Sequence, residues 1–137
     1  MALVGAAAFT WLGMVLAISF MEAPLKFRAP GITLQLGLGI GRLVFRALNG
    51  AEVVLLLVIA IALVVGPRPA PVVWAAVAAA VVLLAQLLGV RPVLTKRSDR
   101  VLAGENAPRS GAHYVYVGLE VVKVAALIVL GVLALTS

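Results

Sequence analysis

The sequence predicts an all-α, polytopic membrane four-helix bundle, and three observations carry that prediction. Hydrophobic residues make up 64% of the 137-residue chain and charged residues 12%, where a soluble domain is nearer half apolar and a quarter charged. Mean hydropathy is +1.21. The apolar residues gather into four runs, about 2–21, 47–66, 71–90 and 113–135. Each supplies the roughly 20 helical residues needed to cross about 30 Å of hydrocarbon. Finally, Gly50, Glu52, Val53 and Val54 return 68 residues later as Gly118, Glu120, Val121 and Val122, and the same offset sets Pro24 on Pro92 and Arg28 on Lys96. The halves 1–68 and 69–137 therefore read as tandem two-helix repeats in parallel orientation, related by a pseudo-two-fold along the membrane normal. Accidental matching in a chain rich in valine and glycine is the alternative.

The first 21 residues carry no charge, and Met1-Ala2-Leu3 lacks the positive start of a secretory signal. Glu22, Lys26 and Arg28 follow, so the run reads as a retained first membrane helix. From Thr33 to Asn49 the pattern is helical: Gln35, Arg42, Arg46 and Asn49 share one stripe, and Leu34, Leu38, Phe45 and Leu48 lie away from it. This segment is expected to begin as an interfacial helix and run into the second span. Gly37, Gly39 and Gly41 leave close packing, a bend or plain flexibility open. Gly66-Pro67-Arg68-Pro69-Ala70-Pro71 is a tight, helix-breaking turn that makes the second and third spans antiparallel neighbours. After Pro92, residues 93–103 are expected to form a second short interfacial helix, and Gly104–Gly111 an exposed loop.

The eleven Lys and Arg residues sort by side. Nine lie in the two long connections: Lys26, Arg28, Arg42, Arg46, Arg91, Lys96, Arg97, Arg100 and Arg109. Arg68 stands alone on the opposite side and Lys123 lies within the fourth span. The positive-inside rule then places both long connections in the cytoplasm and both termini outside, in a cell inner membrane. The net charge of +6 thus reads as a topology signal with contact to anionic headgroups of the lipid bilayer. No aromatic-interleaved basic patch accompanies it, which excludes nucleic acid as a partner. With no cysteine there is no disulfide, thiolate metal site or thiol nucleophile.

Glu52 and Glu120 interrupt runs apolar enough to cross a bilayer, where ionisable groups are costly and mark functional positions. On the fourth span His113, Tyr116, Glu120 and Lys123 follow i, i+3, i+7, i+10, one helical face. On the second, Arg42, Arg46, Asn49 and Glu52 form a matching stripe, while Gln86 comes from the third span and Glu22 closes the first. Lipid cannot solvate these groups, so they must face each other or a water-filled cavity. One reading is structural: Glu120 and Lys123 pair, and Arg46, Asn49 and Glu52 tie the bundle together. The other is a cytoplasm-facing cavity with Arg42, Arg46 and His113 at its mouth. Lys123 has Leu55 as its repeat counterpart, so only Glu120 has a cation one turn away and Glu52 is expected to bind a proton. His113 is the sole histidine and no second strong ligand has metal-site spacing. The glycines at 37, 39 and 41 follow no strand and are not a nucleotide fingerprint. The residues name no cofactor.

Ala23-Pro24-x-x-Phe27 just after the first span, and His113 opening the fourth with Glu120 seven residues on, resemble a small four-helix membrane-protein family of unknown function. That family includes bacterial proteins and the vertebrate transmembrane-protein-205 relatives. Its members often carry Asn where this chain has Glu120, and the resemblance implies the fold and little chemistry. Phe45-Arg46-Ala47-Leu48-Asn49-Gly50-Ala51-Glu52 is similar to the Arg-Ala-x-x-Asn-x-x-Glu element of membrane-associated eicosanoid and glutathione metabolism enzymes. One residue is missing between Ala and Asn, which rotates Asn49 by about 100° relative to Arg46. That resemblance implies that Arg46, Asn49 and Glu52 hold glutathione's charged groups.

The leading expectation is a non-enzymatic membrane protein that associates with copies of itself or a larger membrane complex. Its cavity would bind or transport a small anionic or amphipathic ligand, with proton linkage. The alternatives are a structural accessory subunit, or a glutathione-type enzyme acting on a lipophilic substrate with Tyr116 as acid.

Overall fold

A computed structural model describes residues 1–106 and 111–137, and every regular element among them is helical. Helix α1 spans Ala2–Lys26, α2 Leu34–Val65, α3 Ala70–Leu102 and α4 Gly111–Leu135. All four are long and apolar enough to cross a bilayer, which makes the chain a multi-pass membrane protein with an all-α four-helix architecture. The four predicted runs fall inside these helices except for Gly66, which lies one residue past the end of α2. Of the loop expected over Gly104–Gly111, Gly104 takes a positive φ of 91° that suits glycine; residues 107–110, with Arg109, lie outside the described residues.

Two prolines shape the bundle without ending its helices. Leu16–Glu22 of α1 and Ala85–Val90 of α3 form wider π-helical turns, which lead into Pro24 and Pro92. Proline has no N–H to donate and its ring collides with the carbonyl four residues back. A turn that bonds to the fifth residue moves that carbonyl away, and the helix continues. The expected break at Pro92 therefore does not occur. Residues 93–103 are not a separate interfacial helix, because α3 runs unbroken from Ala70 to Leu102. The segment from Thr33 does behave as expected: Thr33 is extended and its Oγ1 accepts from the Leu36 N–H at 3.1 Å, capping a helix that enters the second span.

At 1.5 Å per residue the 32 residues of α2 reach about 48 Å, well beyond a hydrocarbon core of roughly 30 Å. The start of α2 and the end of α3 overhang on the same side. They are joined there by an Arg42–Asp99 ion pair at 2.7 Å and by Gln35 Nε2 donating to the Val101 carbonyl at 3.3 Å.

Within the bilayer α1 packs along both α2 and α4, and α3 packs along α4. The interior holds Val4, Ala8, Trp11, Val15, Ile59, Ala79, Leu83, Leu127 and Leu130. Lipid is as apolar as leucine, so close packing and interhelical hydrogen bonds hold these helices together. Gly131 shows the close packing: a Cβ there would lie 2.6 Å from Phe9 Cζ. Gly37 likewise admits the Phe27 ring against its backbone, whereas Gly39 faces open space out to Leu102. Helices α2 and α3 meet over a shorter stretch than α1 and α4, and an apolar groove of about 170 Å³ remains between Leu56, Ile59, Leu63, Val73, Ala76 and Ala80.

Candidate functional site

All four helices send polar side chains to one buried point. Lys123 lies with its Nζ 2.5 Å from Glu52 Oε2 and 2.6 Å from Glu120 Oε1, and donates to Gln86 Oε1 at 2.8 Å. Three N–H groups thus meet three acceptors, on α2, α4 and α3, which is the full capacity of an ammonium. Trp11 Nε1 of α1 donates to Glu52 Oε2 at 2.7 Å, and Ser19 Oγ donates to Glu120 Oε2 at 2.6 Å. Gln86 Nε2 reaches Glu120 Oε1 at 3.3 Å and the Tyr116 carbonyl at 3.5 Å. Glu52, Glu120 and Lys123 are at most 1% exposed. Among the described residues every oxygen of the two carboxylates has a donor except Glu52 Oε1, which is buried without one.

The geometry corrects two expectations. Lys123 is not the partner of Glu120 alone: it bridges both glutamates, because Glu52 on α2 faces across to α4. And Glu52, expected on the stripe with Arg42, Arg46 and Asn49, does not reach the cavity with them: it is fully buried, with Trp11 and Lys123 on its Oε2.

The cavity itself lies beside this cluster, towards the overhanging ends of α2 and α3, with a volume of about 750 Å³. Pro24, Lys26 and Phe27 of α1 and Arg42, Phe45, Arg46 and Asn49 of α2 line it. Helix α3 adds Arg91, Leu94, Arg97 and Ser98, and α4 adds His113, Tyr116, Val117 and Glu120. Of the residues singled out in the sequence, Arg42, Arg46, Asn49, His113, Tyr116 and Glu120 come together on its wall. Glu52 and Lys123 lie behind that wall, and Glu120 belongs to both places. The Arg46, Asn49 and Glu52 side chains accordingly do not converge on one chamber.

The chamber's wall carries Lys26, Arg42, Arg46, Arg91 and Arg97 against a single carboxylate, Glu120. Arg42 is neutralised by Asp99, and Lys26 by Glu22 at 3.8 Å. Arg91 is held differently. Its guanidinium carbon lies 4.5 Å from the Tyr116 ring centroid and 5.1 Å from that of Phe45, within cation–π range. The two rings meet edge to face at 6.2 Å. Arg91 Nε and Nη2, the Ser98 hydroxyl and the Tyr116 hydroxyl are all buried with no hydrogen-bond partner among the described residues. Unpaired buried donors cost about 1–3 kcal/mol each, more for charged groups, and the three residues that carry these atoms all line the chamber.

Arg91, Ser98, Trp11 and Ser19 are functional or cluster residues that sequence reasoning missed. Arg91 counts as a topology charge in the sequence, and on an ordinary helical wheel it sits about 140° from Gln86. The π turn between them brings residues five apart towards one face. The signal that could have found it is Pro92, the cause of that turn. Ser19 follows Trp11 and Val15 at i, i+4, i+8 and was legible as one face. Comparison with known proteins finds no matching family model, no matching curated protein and no matching solved structure.

Proposed function

We propose that this protein binds a small amphipathic anion in the chamber and hands it across or along the membrane. The observation that carries the reading is Arg91, held against the Phe45 and Tyr116 rings with two guanidinium nitrogens unpaired among the described residues, beside the unpaired hydroxyls of Ser98 and Tyr116. Donors of this kind, in a fork that suits a sulfonate, phosphate or carboxylate, take the headgroup. Phe27, Leu38, Leu94 and Val117 on the same walls take an apolar tail. A volume near 750 Å³ is in the range of small-molecule sites. The density of Lys and Arg around this end supports the assignment of the chamber to the cytoplasmic face of an inner membrane, with the termini on the far side.

Calorimetric titration of the detergent-solubilised protein tests this, using octanesulfonate against octanol as the neutral control. The sulfonate is expected to bind, octanol to bind far more weakly, and Arg91→Gln to weaken sulfonate binding by about 10- to 100-fold, the value of one or two charge-assisted hydrogen bonds. Equal binding of both probes, or an unchanged affinity in Arg91→Gln, overturns the reading.

A further inference from the structure

The buried cluster behind the chamber is not needed to hold an anion, yet it touches the chamber through Glu120. It contains two carboxylates and one ammonium, all within one shell of hydrogen bonds. With every group ionised these three side chains carry a net charge of −1, the nearby Arg91 lying at the chamber wall against the Phe45 and Tyr116 rings, and a buried carboxylate that shares its one direct counterion is unfavourable. The two carboxylates differ in a way that singles one out. Glu120 receives donors on both oxygens, from Ser19 on one and from Lys123 and Gln86 on the other. Glu52 receives Trp11 and Lys123 on Oε2 alone, and its Oε1 is bare.

We propose that this cluster is a dissociable proton site, with the proton on Glu52 Oε1, and that Glu120 couples it to the chamber so that an anion binds together with one proton. The coupling rests on the chamber reading above; the proton site does not. The proton comes from solvent and returns to it, and no covalent bond other than O–H forms or breaks. The groups that face the pair are the uncharged Trp11 and Ser19 from α1, Gln86 and, towards the chamber, Arg91 from α3, and Lys123 and Tyr116 from α4. With Glu52 protonated, Lys123 and Glu120 balance and the cluster is neutral. An anion arriving at the wall that Glu120 forms adds negative charge, which favours the protonated state. By linkage, affinity then falls as pH rises through the cluster's titration, by about tenfold per pH unit when one proton is coupled.

Octanesulfonate is the probe, because its charge does not change with pH. Titration calorimetry of the full-length protein in two buffers of different ionisation enthalpy is expected to show uptake of one proton per anion bound. Glu52→Gln, a residue outside the chamber wall, should still bind the probe, with no proton uptake and an affinity flat in pH. No proton uptake in the unmodified protein overturns the coupling. Uptake that survives Glu52→Gln and disappears in His113→Gln assigns the proton to the imidazole and overturns it equally. Infrared spectroscopy of the ligand-free protein decides the proton site by itself. A protonated-carboxyl C=O band that titrates and is lost in Glu52→Gln is expected, and its absence at every pH where the protein is folded overturns the proposal. If octanesulfonate fails to bind, the chamber reading falls and the coupling with it, while the infrared band still judges the proton site.

Discussion

Lys123 is the residue on which the buried cluster depends, because it is ion-paired directly with both carboxylates. Lys123→Met should leave Glu52 and Glu120 facing each other without a cation. Removing one partner of a buried ion pair costs about 3–5 kcal/mol, so thermal unfolding in detergent should occur at a clearly lower temperature. Adding Glu52→Gln to Lys123→Met removes one of the two stranded charges and should raise the melting temperature above that of the single variant. Simple addition of two destabilising effects would argue against a shared cluster. Trp11→Phe removes one hydrogen bond to Glu52 and should cost about 1 kcal/mol, the scale of side-chain hydrogen bonds inside membranes. At this scale the sequence was half legible. Ionisable residues in apolar runs announce themselves through the cost of burying them, which exposed Glu52, Glu120 and Lys123. The Glu52–Lys123 pair was hidden, because it joins different helices and depends on how each is rotated. The donor role of Trp11 was hidden as well, since tryptophan in a membrane chain reads as helix packing or an interface anchor and here its buried indole also donates to Glu52.

The elements were legible in existence and poorly legible in phase. Hydropathy located all four helices, and the Pro-rich stretch at Gly66–Pro71 located the α2–α3 turn. What hydropathy could not supply was the residue-by-residue rotation beyond Pro24 and Pro92, since a wheel drawn at a constant angle fails after a wider turn. Arg91 is the casualty. Pro92→Ala should let Ala85–Val90 relax towards ordinary α-helix, which swings Arg91 away from Phe45 and Tyr116. The expected outcome is an unusual split: melting temperature unchanged or higher, since a helix interior regains a hydrogen bond, with octanesulfonate affinity lowered at least tenfold. Equal affinity would show that the turn does not aim Arg91. Gly131→Val tests the packing face instead. Its branched side chain would collide with Phe9, and overpacking of this kind costs about 1–3 kcal/mol, which should appear as a lowered melting temperature with the chamber's affinity retained.

For the whole molecule, the four-helix class followed from composition and from the four apolar runs long enough to span a bilayer. A polar cavity was expected from the charged stripes, and Arg42, Arg46, Asn49, His113, Tyr116 and Glu120 do line the chamber; its share of α3 was not legible, because the overhangs of α2 and α3 lie just where hydropathy fades and the sequence reads as connection. Orientation is open to a direct measurement. The chain has no cysteine, so Arg68→Cys and Lys96→Cys each create a single thiol, one in the α2–α3 turn and one on the exposed face of the overhang. In intact cells a membrane-impermeant maleimide should label Arg68→Cys and spare Lys96→Cys until the membrane is opened. The reverse pattern would invert the protein and place the chamber on the outer face.

The saturated ammonium of Lys123 has a consequence for biogenesis. A lysine near the middle of a single helix resists entry into the bilayer by about 2.5–3.5 kcal/mol, and α4 is made after α2 and α3. By then Glu52 and Gln86 are already in place on α2 and α3, each lacking its principal partner. The late helix therefore brings the counterion that the earlier ones await, and they offer the solvation it cannot find in lipid. Insertion of α4 and closure of the bundle become one event, and a chain cut short before Lys123 is left with an unneutralised acid in its membrane core, a ready mark of incompletion for quality control.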